Sequence, residues 1–209
     1  MCGHSIYGSH ARRLVLTRNA TMIRLLSLVF LLACALPASA QVSVSARVEQ
    51  VTEHVETWRS VFGYWVVREA RNARVGMATI TNKEHRSLDV SVEFYFIGQD
   101  RGKGGALQLY HFHRRSAKVP ARGVVQVPTI SRTIVLRKVL AKDTEDRSSV
   151  SGLVPFGWVV IVKKGSEVLD QSGNTPDAFQ NLRRVLEKTD PTALAEMQKE
   201  AEERVARKD

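Results

Sequence analysis

Between Leu88 and Phe96 the chain alternates strictly: Leu88, Val90, Val92, Phe94 and Phe96 are apolar, and Asp89, Ser91, Glu93 and Tyr95 carry the polar groups between them. A period of two puts successive side chains on opposite faces of an extended strand, so this segment predicts one core face and one solvated face. Val42, Val44, Ala46 and Val48 repeat the pattern against Ser43, Ser45 and Arg47, a half-buried first strand. Tyr64 to Val67 and Val75 to Thr81 are rich in aromatic, small and β-branched types that suit a pleated surface. The polar link from Asn82 to Arg86 predicts that the second of these pairs antiparallel with the strand beginning at Leu88.

Further strands are expected at Leu107 to His113, Gly123 to Val127 and Ile130 to Leu140, punctuated by Pro120 and Pro128. Gly157-Trp158-Val159-Val160-Ile161-Val162, the turn Lys163 to Ser166 and Glu167-Val168-Leu169 predict a hairpin. Many short strands with turn signals and no helix between them give a mainly β, antiparallel sandwich or barrel over residues 41–175. At Thr175-Pro176-Asp177 the pattern changes: an N-cap, a first-turn proline and an acid suited to the helix dipole precede Phe179, Leu182, Val185 and Leu186 at helical spacing. Residues 176–188 are therefore expected to form a helix docked on the sandwich. After Asp190-Pro191, residues 190–209 read as a charged helical tail with a thin stripe of Leu194, Met197, Ala201 and Val205. That stripe leaves open packing on its own domain or a partner helix, and its thinness favours a frayed, solvated tail; sustained heptads are too few for a coiled coil.

The hairpin residues Gly157 to Val162 with Gly165 and Val168-Leu169, followed by Ser172 to Pro176 entering a helix, resemble small exported immunoglobulin-like β-sandwich proteins of Verrucomicrobia and their relatives. The resemblance implies an antiparallel immunoglobulin-like sandwich with one or two C-terminal helices. Some such proteins are encoded near pilus-like secretion genes, which implies a cell-surface or assembly role, and the resemblance supplies no functional residues.

Residues 22–40, MIRLLSLVFLLACALPASA, have the parts of a secretory signal peptide: Met22 and Arg24 at the start, an apolar run from Leu25 to Leu32, and Ala38-Ser39-Ala40 before Gln41. The run is too short to span a bilayer, which takes about 20 residues. Residues 1–21 fit poorly ahead of such a signal and read as an over-extended gene start. Leu31-Leu32-Ala33-Cys34 also resembles a lipobox, in which case Cys34 becomes an acylated anchor; the better-formed site at Ala40 favours soluble export to the periplasm, the cell surface or the medium. Removing residues 1–40 leaves 169 residues, enough for one unstapled core, and takes away both cysteines, Cys2 and Cys34. It also removes Arg12, Arg13, Arg18 and Arg24, so the net charge of +10 becomes +6.

A positive exported domain suits acidic partners such as a surface polymer, or an envelope protein, and makes nucleic acid a poor candidate. The basic run Arg114, Arg115, Lys118 and Arg122, followed by Arg132, Arg137, Lys138 and Lys142, is the candidate anion-binding site; its plain alternative is a solvated sheet edge protected by charge. His111 and His113 lie two apart on a predicted strand and so share a face, as paired metal ligands do. Other ligands are not evident, so surface or half-buried histidines are expected there, with no metal and no cofactor. The glycine-rich stretch Gly98 to Gly105 has the wrong spacing for a phosphate loop and reads as a hairpin loop. Asp89 and Glu93 fall on the predicted solvated face, the ordinary place for surface charge. The expectation is a non-catalytic binding or assembly module, with an extracytoplasmic hydrolase or metal-dependent enzyme as the rival.

Overall fold

The computed structural model describes residues 41–58, 65–102, 104–141 and 149–206. The expected signal at 22–40, Cys34, Tyr64 and Lys142 lie outside the described residues. Eight strands come in chain order, β1 (Val42–Trp58), β2 (Trp65–Asn82), β3 (Leu88–Asp100), β4 (Leu107–Val119), β5 (Val124–Ile130), β6 (Ile134–Ala141), β7 (Ser149–Lys164) and β8 (Glu167–Gly173). Two helices follow, α1 (Ala178–Leu186) and α2 (Pro191–Ala206). Every strand pair is antiparallel. One sheet runs β1-β2 and then β5 and β6 along the same edge of β2; the other runs β8-β7-β3-β4. This is an immunoglobulin-like Greek-key sandwich in which the fourth strand, β4, stays beside β3 instead of joining the first sheet.

The two sheets are joined by local irregularities. Across β2, Val75 is opposite Ile130 and Asn72 opposite Ile134, so two residues face the three of Ser131–Thr133, a bulge. Ser131 closes it, donating its amide to Arg74 O at 2.8 Å and accepting the Arg74 amide on Oγ at 2.9 Å. Strand β7 pairs with β6 through Ser149–Gly152 and with β3 from Leu153 onward, so it belongs to both sheets. The switch occurs at Gly152, with φ +106°, a backbone conformation that side chains rarely adopt. On the opposite flank the Val44 amide donates to Asp170 Oδ2 at 2.6 Å, tying β1 to β8 across 126 residues of chain.

The core between the sheets is made by Ala78, Ile80 and Val127 facing Val90, Val92, Phe94, Phe96, Val160 and Val162. A second core lies on the outer face of the β8-β7-β3-β4 sheet, where Tyr95, Ile97, Leu109, Phe112 and Val159 meet Ala178, Leu182 and Val185 of α1, with Leu194 and Met197 of α2 packed against them. The face expected to be solvated on β3 is so at Asp89 but is buried from Glu93 onward, where Glu93 and Tyr95 lie inside the protein. Alternation identifies the two faces of a strand but not what covers the second.

Other expectations change as well. The strand holding Val75–Thr81 does not pair with the one beginning at Leu88: β2 pairs with β1, β5 and β6, and β3 pairs with β4 and β7 in the other sheet. The segments expected at Tyr64–Val67 and Val75–Thr81 form one strand, β2, because the charged stretch between them pairs with β6, Arg137 reaching Glu69 Oε1 at 2.7 Å. Helix α1 starts two residues later than Thr175 suggests: Asp177 is the N-cap residue without a side-chain cap bond, and Thr175 O accepts the Ala178 amide. The last helix is docked rather than frayed. Gln198 of α2 brackets the free edge of β4, accepting the Arg114 amide at 2.6 Å and donating to Arg114 O at 3.0 Å, and Ala201 is buried. Among the described residues no helix is long and apolar enough to cross a membrane.

Candidate functional site

The four cations singled out in the sequence part company in the fold. Along β4 the side chains alternate, so Arg114 and Lys118 share the helix-side face and Arg115 points toward the other sheet. Arg114 is held by Glu93, with Nη2 at 2.7 Å and Nε at 2.9 Å from Oε1, and its guanidinium lies 5.7 Å from the Phe112 ring centroid. Arg115 donates to Pro128 O at 3.1 Å, bridging from β4 to β5.

Lys118 and Arg122 instead approach one end of the sandwich, where the β2–β3 loop meets the β4–β5 turn. Asn82 ties the two together: its Nδ2 donates to Arg86 O and Pro120 O at 2.8 and 3.0 Å, and its amide donates to Gly123 O. The Arg122 amide donates to Glu84 O, and its side chain reaches His85 Nε2 at 2.8 Å from a left-handed turn position, φ 49°. Lys83 and Arg86 project from the same loop, so four cations, Lys83, Arg86, Lys118 and Arg122, share this end with Glu84 and Asp89. Lys83 and Arg86 are not legible in the sequence as members of this set, because the hydrogen bonds of Asn82 and Glu84 bring them beside residues some 35 positions on; an asparagine closing a strand is the available signal.

Glu93 is the centre of a second cluster. Its side chain is 1% exposed and receives Tyr95 Oη at 2.7 Å, Lys163 Nζ at 2.7 Å and Arg114. Burial works to raise its carboxyl pKa, but the bonds from Lys163, Tyr95 and Arg114 outweigh burial and hold it below the usual carboxylate range. Tyr95 responds in the opposite sense, burial and the adjacent carboxylate pushing its hydroxyl well up.

The histidines expected near the surface are fully enclosed between the sheets. His113 Nδ1 is 3.0 Å from Thr129 Oγ1, and the His111 and His113 rings are 6.3 Å apart. Beside them α2 crosses the open side of the sandwich between β4 and β5. Its Arg204 donates to Ser131 O at 3.3 Å and to Glu200 at 2.6 Å. The seam keeps a cavity of about 700 Å³ between Ala201 and Val205 of α2, Pro128 and Ile130 of β5, and Arg115. Among the described residues no group of three or more His, Cys, Asp or Glu is placed to hold a metal ion.

No protein-family model and no curated protein matches the chain. Among solved structures it is similar to a β-glucuronidase from glycoside hydrolase family 2, with TM-score 0.28 and 10% identity over 66% of this chain and 11% of that one. A putative β-galactosidase from Bacteroides fragilis gives TM-score 0.29 and 13% identity over 66% and 16%. A protein from Akkermansia muciniphila gives 0.21 and 8% over 69% and 77%. The chain thus spans only 11% and 16% of the two glycosidases, and likeness at this level does not extend to function.

The buried imidazoles make stability pH-dependent. Burial, then His113, Arg204 and Arg132, push His111 down to about 3; burial and Arg115, opposed by Glu202, push His113 down to about 4. In the unfolded chain both titrate near 6.5, so between those values the unfolded state binds more protons and stability rises with pH. Stability is complete above about pH 6.5 and declines on acidification, by roughly 1.4 kcal/mol per histidine per pH unit. The melting temperature is expected to fall by about 10 °C from pH 7 to pH 5. His113→Gln should flatten that slope by about half in thermal melts; an unchanged slope would contradict the assignment.

Proposed function

We propose that this chain is an exported, non-catalytic β-sandwich that binds an anionic surface polymer through the end of the sandwich carrying Lys83, Arg86, Lys118 and Arg122. The observation that carries the reading is the Asn82-bonded loop pair, which sets Lys83, Arg86 and Arg122 on two adjoining turns beside Lys118 at the end of β4. Exposed cations fixed on short turns present a charged surface to a flexible polyanion without each having to be ordered on binding. The expected signal peptide at 22–40 and the mature charge of +6, from +10 less four leader arginines, agree with a partner outside the cytoplasm. The hydrolase reading calls for carboxylates free to act at a cleft, whereas Glu93 is enclosed by Tyr95, Arg114 and Lys163.

Retention on an immobilised sulfated polysaccharide tests this. The mature form should be retained with steep salt dependence. Changing Lys83, Lys118 and Arg122 together to serine should reduce the slope of log affinity against log salt by about 2, from roughly 0.7 per cation removed. A triple serine variant at the exposed positions Arg184, Lys188 and Lys199 removes the same charge elsewhere and should leave the slope nearly unchanged. Equal losses in both variants would reduce the effect to net charge and sink the proposed site.

A further inference from the structure

Arg74 lies on β2 on the face that looks into the sandwich, and only 8% of it is exposed. Its Nη1 is buried without a hydrogen-bond partner, and among the described residues no carboxylate forms an ion pair with it. A guanidinium does not deprotonate in proteins, so neutralisation cannot relieve this burial. Water can satisfy its hydrogen bonds but not its charge, and a buried ion without a counter-charge is among the costliest arrangements a fold can hold.

Two more enclosed polar groups face the same interior from β4. Both ring nitrogens of His111 are buried without partners, and the Tyr110 hydroxyl is buried with no hydrogen bond of good geometry, although Ser131 lies beside it. Both residues sit at the irregularity between β3 and β4, where His111 is opposite Phe96, Leu109 is opposite Ile97 and Tyr110 is the extra residue. Their rings pack around Phe96 at 6.1 and 5.7 Å, which turns them into the space between the sheets. Burial raises the Tyr110 hydroxyl pKa, while the charge of Arg74, the adjacent Ser131 hydroxyl and the charge of Arg132 work against it, so Arg74 acts on Tyr110 directly. Ala73 and Ser131, which flank Arg74 along β2 and across the bulge, line the seam cavity, and Ser131 Oγ accepts the Arg74 amide, so the Arg74 backbone stands at the edge of that cavity.

We propose that Arg74, Tyr110 and His111 form an internal site for a small oxyanion, a carboxylate or a phosphate-type group, with the seam cavity as its approach. Arg74 supplies the charge and a planar pair of donors, a match for an oxyanion; Tyr110 Oη–H and one His111 N–H complete the donor set. The site is separate from the cations at the end of the sandwich and rests on the buried unpaired charge alone.

The test is thermal unfolding of the mature protein at fixed ionic strength, with chloride replaced stepwise by acetate in one series and by phosphate in another. A saturable rise in melting temperature of about 5 °C is expected in at least one series, and the anion that saturates at the lower concentration identifies the source. Arg74→Met should abolish the rise and, in chloride, melt at or above the wild-type temperature because the unpaired charge is gone. Tyr110→Phe, which loses one hydroxyl, should move the midpoint of the rise to about tenfold higher anion concentration. The Lys83, Lys118 and Arg122 triple serine variant should keep the rise in full. Equal melting temperatures in all three salts would overturn the proposal, as would an Arg74→Met protein that keeps the rise; should Arg74→Met not fold, an unmoved midpoint in Tyr110→Phe overturns it.

Discussion

Gly152→Ala is expected to destabilise the protein by about 3–5 kcal/mol, enough to lower the melting temperature by roughly 10 °C or more. At φ +106° an added Cβ stands 2.2 Å from Val135 O, a backbone atom. Gly152 cannot move away, because it is paired with Leu136 on one side and accepts the Arg101 amide on its own carbonyl at 2.9 Å. Its neighbour Leu153 is already registered with Asp100 in the other sheet. Any shift that relieves the clash therefore loosens both sheets at once. Gly165→Ala is the comparison: φ is +60° and a Cβ there meets nothing within 4 Å, so its cost is only the left-handed penalty of about 1–2 kcal/mol. Urea unfolding of the two variants separates the cases, and similar losses in both would show that the sheet switch tolerates a side chain.

Glu93→Ala is expected to cost about 3–4 kcal/mol, since removing one partner of a buried ion cluster strands the others. The loss falls unevenly. Arg114, 57% exposed, can turn to water; Lys163, at 26%, retains some access; the Tyr95 hydroxyl, enclosed, keeps no acceptor. Glu93→Gln keeps the volume and an acceptor for Tyr95 and should cost about half as much, and Arg114→Ala less still, in the range of a partly exposed pair. Chemical denaturation of the three variants gives this order directly. An Arg114→Ala loss as large as that of Glu93→Ala would move the weight of the cluster to the surface.

The strands were readable because period-two alternation reports side-chain direction, and the Gly157 to Leu169 hairpin because a glycine turn separates two apolar runs. The fate of Glu93 was not readable. Its neighbours Phe94 and Tyr95 look alike on either side of the strand, and only the docking of α1 and α2, more than 80 residues on, makes the second face interior. Arg74 was hidden for a related reason: the charged stretch Arg68 to Arg74 falls between the two expected strands, and its inward direction follows from pairing with β5 and β6. The set Arg114, Arg115, Lys118 and Arg122 was legible as charge but not as a site, because alternation along β4 and the turn at Arg122 send its members to three different surroundings.

The bond from the Val44 amide to Asp170 has a consequence for the order of events during biogenesis. Its two ends are 126 residues apart, so the flank that it closes cannot form until nearly the whole domain has left the ribosome. The hairpins from β1 to β2 and from β3 to β4 have only local loops to close and are available early. A chain paused between those stages presents the unpaired edge of β7, which later receives β8, together with the uncovered apolar face of β3. Such intermediates are the kind that aggregate, and a chaperone that holds the growing chain open is most needed in the interval before residue 170 emerges.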